Sequence, residues 1–214
     1  MNLTKKPQNY FALERPEMLE FVPLTAKKIL EFGCGEGNFG NALKSRNEAE
    51  VWGLEIEEDA AKIAQQKLHK VVVGDALLKL NDLPDHYFDA IIFNDVLEHL
   101  VDPYTVLKEL THKLCKGGVI VASIPNIRFF RSFFDFVFRG NWEYTPNGIM
   151  DKTHILFFTK KSIDGLFSKQ GYTIVTKKGI NKSKSIRPLI ASILTLGAWS
   201  DIAYLQFAVV AKAK

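Results

Sequence analysis

Short apolar runs alternate with longer helix-type segments along most of this chain, and that alternation restricts the fold more than any other feature. "KKILEF" (27–32), "EVWGLEI" (50–56), "KVVVGDA" (70–76), "YFDAIIFNDV" (87–96) and "VIVASIP" (119–125) read as strands. The fourth is apolar on both faces, as a central parallel strand is. Between them lie helical patterns: "NFGNALKSR", "EEDAAKIAQQKL" (57–68) and "PYTVLKELTHKL" (103–114). Acidic residues open the second of these, where the helix dipole favours them, and Pro103 opens the third. "TKKSIDGLFSKQG" (159–171) is a helix closed by glycine, and "YTIVTKKGI" and "AYLQFAVVA" add two strands. Strands alternating with helices in this way predict an α/β fold on a doubly wound seven-stranded sheet.

The chain has 214 residues, which suits one domain (1–214). We expect a helical N-terminal cap over 1–25 and an aromatic-rich lid over 127–150. A net charge of +4 is too weak to argue for nucleic acid. Cys34 and Cys115 form no metal-type spacing, and the first residues hold no apolar signal-like run, so a cytoplasmic location is expected. From Leu189 to Ala211 the only charge is Asp201, a length that would span a bilayer. Ser192, Thr195, Gly197, Ser200 and Gln206 interrupt it. It reads instead as a helix near 186–196, a turn at Gly197 and a strand near 203–211. Lys177, Lys178, Lys182, Lys184 and Arg187 precede this stretch, as a solvated loop or at most a peripheral contact with a membrane.

"EFGCGEGNFG" (31–40) raises a choice of cofactor. Gly35, Gly37 and Gly40 spell G-x-G-x-x-G, and Glu55 lies where dinucleotide enzymes place a ribose-binding acid. Read from Glu31, the same string is an acid followed by Gly33, Gly35 and Gly37. Glu55, Asp75 and Asn94-Asp95 close the next three strands on the same sheet edge. A ligand with an ammonium, two ribose hydroxyls and an adenine amino group needs acceptors at several separate points, and S-adenosylmethionine has all of these. A pyrophosphate would prefer cations and bare N–H groups.

Three motifs then carry a resemblance. "ILEFGCGEGNFG", "FDAIIFNDVLEHLVDP" and "LCKGGVIVASIPN", in this order and at these separations, resemble those of the class I S-adenosylmethionine-dependent methyltransferases over roughly 10–175. The resemblance implies a Rossmann-like sheet, mostly parallel with an antiparallel last strand. It implies that Glu31 and the backbone of Gly33, Cys34, Gly35 and Gly37 hold the methionine end. Glu55, with Ile56 beside it, would bind the ribose, and Asp75 and Ala76 the adenine. Asn94, Asp95 and Val96 would line the cofactor from strand four. A short-chain NAD(P)-dependent oxidoreductase is the rival, with Tyr104 and Lys108 as its only Tyr-x-x-x-Lys pair.

Methyl transfer to a hydroxyl also needs a base near neutral pH, and histidine is the natural one. His99 follows strand four in "NDVLEHL"; His154 sits in "MDKTHILFF" after the aromatic segment. Both are candidate catalytic residues. Asp95, Glu98 and His99 would share one face of a helix, a set able to hold a divalent ion. A comparable acid-x-x-Glu-His group occurs in the quinone-biosynthesis O-methyltransferases that the chain also resembles, but "EH" is common at this place without a metal, and none is expected. Tyr10 and Arg15 are candidates to fold over the cofactor's carboxylate. "DKTHILFFT" is similar to a stretch in sugar- and polysaccharide-associated methyltransferases. The expected acceptor is a small molecule, first a sugar or glycan precursor, lipid-linked or otherwise hydrophobic, with a quinone-type aromatic ring as the alternative.

Overall fold

The alternating runs fold as β1 (Lys28–Phe32), α2 (Asn38–Asn47), β2 (Glu50–Glu55), α3 (Glu58–Ala64), β3 (Lys70–Val73), β4 (Phe88–Asn94), α4 (Pro103–Leu110) and β5 (Leu114–Pro125). A short helical turn, α1 (Pro16–Leu19), precedes them; α5 (Phe130–Arg139), α6 (Lys160–Lys169), β6 (Tyr172–Lys182), α7 (Arg187–Leu194) and β7 (Tyr204–Ala213) follow. A computed structural model describes residues 11–214. The strands form one sheet in the order β3-β2-β1-β4-β5-β7-β6. β7 runs antiparallel to both of its neighbours, and the other pairings are parallel.

The two-residue period of the strands separates two cores. Leu30, Ile91 and Ile120 point to one face, where α4 and α6 bring Val106, Leu107, Ile163 and Phe167. Their sequence neighbours Ile29, Ile92 and Val121 point to the other, against Phe39 and Leu43 of α2. Burial on both faces is why these strands lack polar alternation. The strand order reverses between β1 and β4, so a crevice opens at their carboxyl ends.

Several local expectations shift. The third strand stops at Val73 and the second predicted helix at Ala64, both shorter than their sequence patterns. α4 ends at Leu110, so His112 lies beyond the helix. The fifth strand begins before its expected start at residue 119 and takes in Lys116, Gly117 and Gly118, with a register shift opposite Phe88–Ala90 and Gly117 at φ 86°. A left-handed residue in a bulge of this kind suits glycine. Of the expected cap over 1–25, the described part contains one short helical turn, and Tyr10 lies outside the described residues. Among the described residues, no helix is long and apolar enough to cross a membrane.

The aromatic segment leaves the sheet at Pro125 and returns at Phe158, which bridges Asn126. Asn126 is buried and clamps this exit: its amide donates to the carbonyls of Asp201 and Tyr204 at 3.0 and 3.1 Å, and its Oδ1 accepts from the Arg128 N–H. The aromatic face of α5 is only partly covered. Phe130 is buried with Ala191 and Ile202, Phe129 and Phe134 pack against that cluster, and Val137 stays exposed.

Candidate active site

The glycine turn begins where β1 ends. The N–H groups of Gly33 and Cys34 donate to the Leu54 carbonyl, stitching the turn to β2. Gly35 has φ 52°, and a Cβ there would lie 2.5 Å from the Phe11 carbonyl oxygen. Phe11 accepts from the Glu36 N–H at 2.8 Å, and Ala12 from the Asn38 side chain at 2.9 Å, so the N-terminal segment rests on the turn. A Cβ on Gly40 would meet Leu68 at 2.8 Å and Glu31 Oε2 at 3.0 Å, which makes Gly40 a packing residue of α2. The Cys34 side chain is buried, and Gly53 leaves the space for its sulfur. Burial pushes its thiol up, away from thiolate chemistry.

Glu31 is 3% exposed at the end of β1. Its Oε1 accepts weakly from the Asn94 amide at 3.4 Å, while Oε2 and the Asn94 Oδ1 are buried without a hydrogen-bond partner. Burial raises the Glu31 carboxyl to about 8. A buried carboxylate and amide oxygen with acceptor capacity unspent suit a cationic, hydrogen-bond-donating ligand. That is the acceptor set an ammonium and sulfonium cofactor requires, and a poor one for a pyrophosphate.

Glu55, at the end of β2, closes on the glycine turn. Its Oε2 accepts from the Gly35 N–H at 2.7 Å, and its Oε1 from the N–H groups of Ile56 and Glu57 at 2.9 and 3.0 Å. Ile56 beside it is half exposed. Asp75 is exposed beyond β3, and its Oδ1 accepts from the N–H groups of Leu77 and Leu78; Ala76 is buried. Val96 lies against Gly33, where a Cβ would come within 2.7 Å of its Cγ2. Glu31, Asn94 and Val96 thus cluster with the glycine turn, and Glu55 joins them through Gly35.

Asp95 turns away from the arrangement expected of it. Residues 95–99 are not a helix; Asp95 has φ 56°, so Asp95, Glu98 and His99 do not share a helical face. Arg15 forms an ion pair with Asp95 instead of reaching free into the crevice. Ser123 donates to the Asp95 carboxylate at 2.9 Å, and Gln206 at 2.7 Å to each oxygen. Arg15 also donates to Ser123 and Gln206. Sequence reasoning missed Ser123 and Gln206; their one signal was a polar residue inside each apolar strand.

A second cluster forms where the chain beyond β4 meets the end of the aromatic segment. The Ile155 and Leu156 N–H groups donate to the Glu98 carbonyl, which brings His154 alongside. The rings of His99 and His154 meet edge to face at 4.6 Å. His99 Nδ1 is 3.0 Å from the Thr153 carbonyl oxygen, and His154 Nδ1 is 2.8 Å from that of Ile149. A carbonyl only accepts, so each Nδ1 carries a proton, and in the neutral imidazole the lone pair is then on Nε2. Glu98 is 1% exposed, and neither of its carboxylate oxygens has a hydrogen-bond partner. Its Oε1 lies 3.8 Å from His154 Nε2. Burial, with Asp95 adding to it, holds the Glu98 carboxyl well above the usual carboxylate range. Glu98, His99 and His154 each offer an atom within 4.8 Å of the others, a set that could also take a metal ion. Phe157 lies 6.3 Å from His154 and 5.4 Å from Trp142, giving the cluster an aromatic wall.

A mostly parallel sheet with its switch point at a glycine turn, and acids closing the neighbouring strands, defines an α/β domain of the kind that binds a nucleoside-bearing cofactor. The chain belongs to the methyltransferase domain family, whose model matches residues 6–177. That family match favours the methyltransferase reading of the glycine turn over the dinucleotide one. Over 110 residues it is 33% identical to a ubiquinone biosynthesis O-methyltransferase of Idiomarina loihiensis, covering 48% of this chain and 44% of that one. Over 126 residues it is 34% identical to a demethylmenaquinone methyltransferase of Geobacillus stearothermophilus, covering 53% of each. The chain spans about half the length of these curated relatives. In fold it resembles an S-adenosylmethionine-dependent methyltransferase structure from Archaeoglobus fulgidus, with TM-score 0.71, 21% identity, and 92% and 91% of the two chains covered.

Proposed function

We propose that this chain methylates a hydroxyl oxygen on an apolar, aromatic-ringed small acceptor of quinone type. The observation that carries this is the Glu98–His99–His154 cluster beyond β4, walled by Phe157 and Trp142. The names of the relatives support a quinone-type ring and lend nothing to a sugar, the acceptor expected first from "DKTHILFFT".

The cofactor supplies an activated methyl group on sulfur. In this reading Glu31 receives its ammonium, and the glycine turn gives backbone contact at Gly33, Cys34, Gly35 and Gly37. Glu55 meets the ribose hydroxyls through lone pairs left beyond its three N–H bonds, with Ile56 covering the edge. Asp75 and Ala76 flank the adenine. Asn94 and Val96 would border the reacting end, while Asp95 keeps Arg15 in its ion pair.

His154 Nε2 takes the proton from the acceptor hydroxyl. Its Nδ1–H stays on the Ile149 carbonyl, which fixes the ring's orientation. The imidazolium so formed lies 3.8 Å from Glu98 Oε1, and its charge favours the anion of that buried carboxyl. His99 packs edge-on against His154 and holds the acceptor side of the pocket. The segment 127–150 acts as the lid that keeps water from the transfer. The test is incubation with S-adenosylmethionine carrying a labelled methyl group, against a panel of catechols, hydroquinones and sugar nucleotides, read by mass spectrometry. Label on ring hydroxyls is expected; label on the sugar nucleotides alone would sink the proposal.

A further inference from the structure

α7 leaves one face bare. Ile186, Leu189, Ile190, Ile193, Leu194 and Leu196 are between 48% and 97% exposed. Its inner side is held by Ala191, which clusters with Phe130 of α5 and Ile202. The Phe133 ring of α5 meets Trp199, just beyond α7, at 5.0 Å. Both helices therefore pack on the turn at Ser200–Ala203, and α5 adds Phe136, Val137 and Phe138, all about half exposed or more. Exposed apolar side chains in this number on neighbouring elements mark an interaction site.

We propose that α5 and α7 together form a docking face for an anionic lipid bilayer. The charge pattern chooses the occupant. From Lys182 to Ser200 there is no acidic residue, while Lys182, Lys184 and Arg187 lead into the apolar helix. An amphipathic helix with cations at its rim lies in the headgroup region, burying its apolar face while the cations meet lipid phosphates. A second copy across a two-fold axis would set this cationic rim against the same surface of its partner, which disfavours a dimer.

The face also leads to the site. Phe136 touches Trp142 at 5.4 Å, Trp142 touches Phe157 at 5.4 Å, and Phe157 lies 6.3 Å from His154. An aromatic track thus joins the docking face to the histidines, a route for an acceptor dissolved in the bilayer. This last step rests on the apolar-acceptor reading; bilayer docking itself does not.

The test is co-sedimentation of the full chain with vesicles of phosphatidylcholine and phosphatidylglycerol in equal parts, against vesicles of phosphatidylcholine alone. Binding to the mixed vesicles that weakens with salt is expected. The double variant Leu189→Asp/Ile193→Asp should bind them about tenfold more weakly or less, and Lys184→Gln/Arg187→Gln should lose the preference for anionic lipid. S-adenosylhomocysteine affinity should stay unchanged in both. Leu196→Asp, at the most exposed position, serves should the double variant misfold. No binding to mixed vesicles, or equal binding by the apolar variants, overturns the proposal. So does a dimer seen by light scattering that these variants dissociate while vesicles remain unbound. Vesicle binding without methylation of aromatic acceptors would uphold the docking face and sink the acceptor reading.

Discussion

Glu98 and His154 face each other in the interior, with Oε1 and Nε2 3.8 Å apart and neither oxygen of the carboxylate hydrogen-bonded. An acid left in this state beside an imidazole is costly to keep unless a proton moves there. Replacing His154 with Ala should therefore lower kcat roughly 10²–10⁴-fold, the usual contribution of a general base. S-adenosylhomocysteine affinity by calorimetry should not change. The chemistry assigned here needs no metal ion, so activity should survive chelation with EDTA; its loss would turn the Glu98–His99–His154 cluster into a metal site.

Glu31 predicts a pH effect. Its carboxyl rises from the ordinary 4.5 to about 8 in the cofactor-free fold, because burial disfavours the anion. Between those values the folded chain binds more protons than the unfolded one, so this group's contribution to stability is present at low pH and lost as pH rises through about 8. A cationic cofactor beside it favours the anion and should expel the proton. Calorimetry of S-adenosylhomocysteine binding at neutral pH, in buffers of different ionisation heat, should show proton release in the wild type and none in Glu31→Gln.

Glu55 joins two roles. It accepts three backbone N–H bonds from the glycine turn and the start of α3, and it is the proposed ribose acceptor. Glu55→Ala leaves those N–H groups without their acceptor, which should cost roughly 2–4 kcal/mol of stability by thermal unfolding. The same variant should weaken S-adenosylhomocysteine by roughly 1.5–3 kcal/mol. Unchanged affinity in a folded variant would move the ribose contact elsewhere.

Gly35→Ala should be worse than its size suggests. The left-handed backbone costs a non-glycine residue roughly 1–2 kcal/mol. The new Cβ would also sit 2.5 Å from the Phe11 carbonyl oxygen, so the N-terminal segment must lift from the turn. Gly37→Ala shares the backbone cost but meets Ala64 and Leu68 at 3.2 Å, a milder contact. Thermal unfolding of the two variants should rank Gly35→Ala below Gly37→Ala.

Much of the frame is legible along the chain because its causes are local. The apolar runs of β1, β4 and β5 mark strands buried on two faces, and the turn at Gly33–Gly37 is written in residues that tolerate positive φ. Acids and amides closing β1, β2 and β4 appear at the expected strand ends. Boundaries shift where packing outweighs pattern: α3 stops at Ala64, and β5 takes in the glycines before it through a bulge.

The sequence by itself determined the alternating fold and the acidic strand ends around a glycine turn, since each depends on residues close along the chain. Tertiary structure alone decided what those groups meet. Gln206 reaches Asp95 only because β7 pairs antiparallel with β5, and Arg15 only because the N-terminal segment lies across the turn. His154 reaches Glu98 because Ile155 and Leu156 dock their N–H groups on the Glu98 carbonyl. That spacing, set by long-range hydrogen bonds, is invisible in any window of sequence, and it replaced the helical Asp95–Glu98–His99 set with a cluster built around His154.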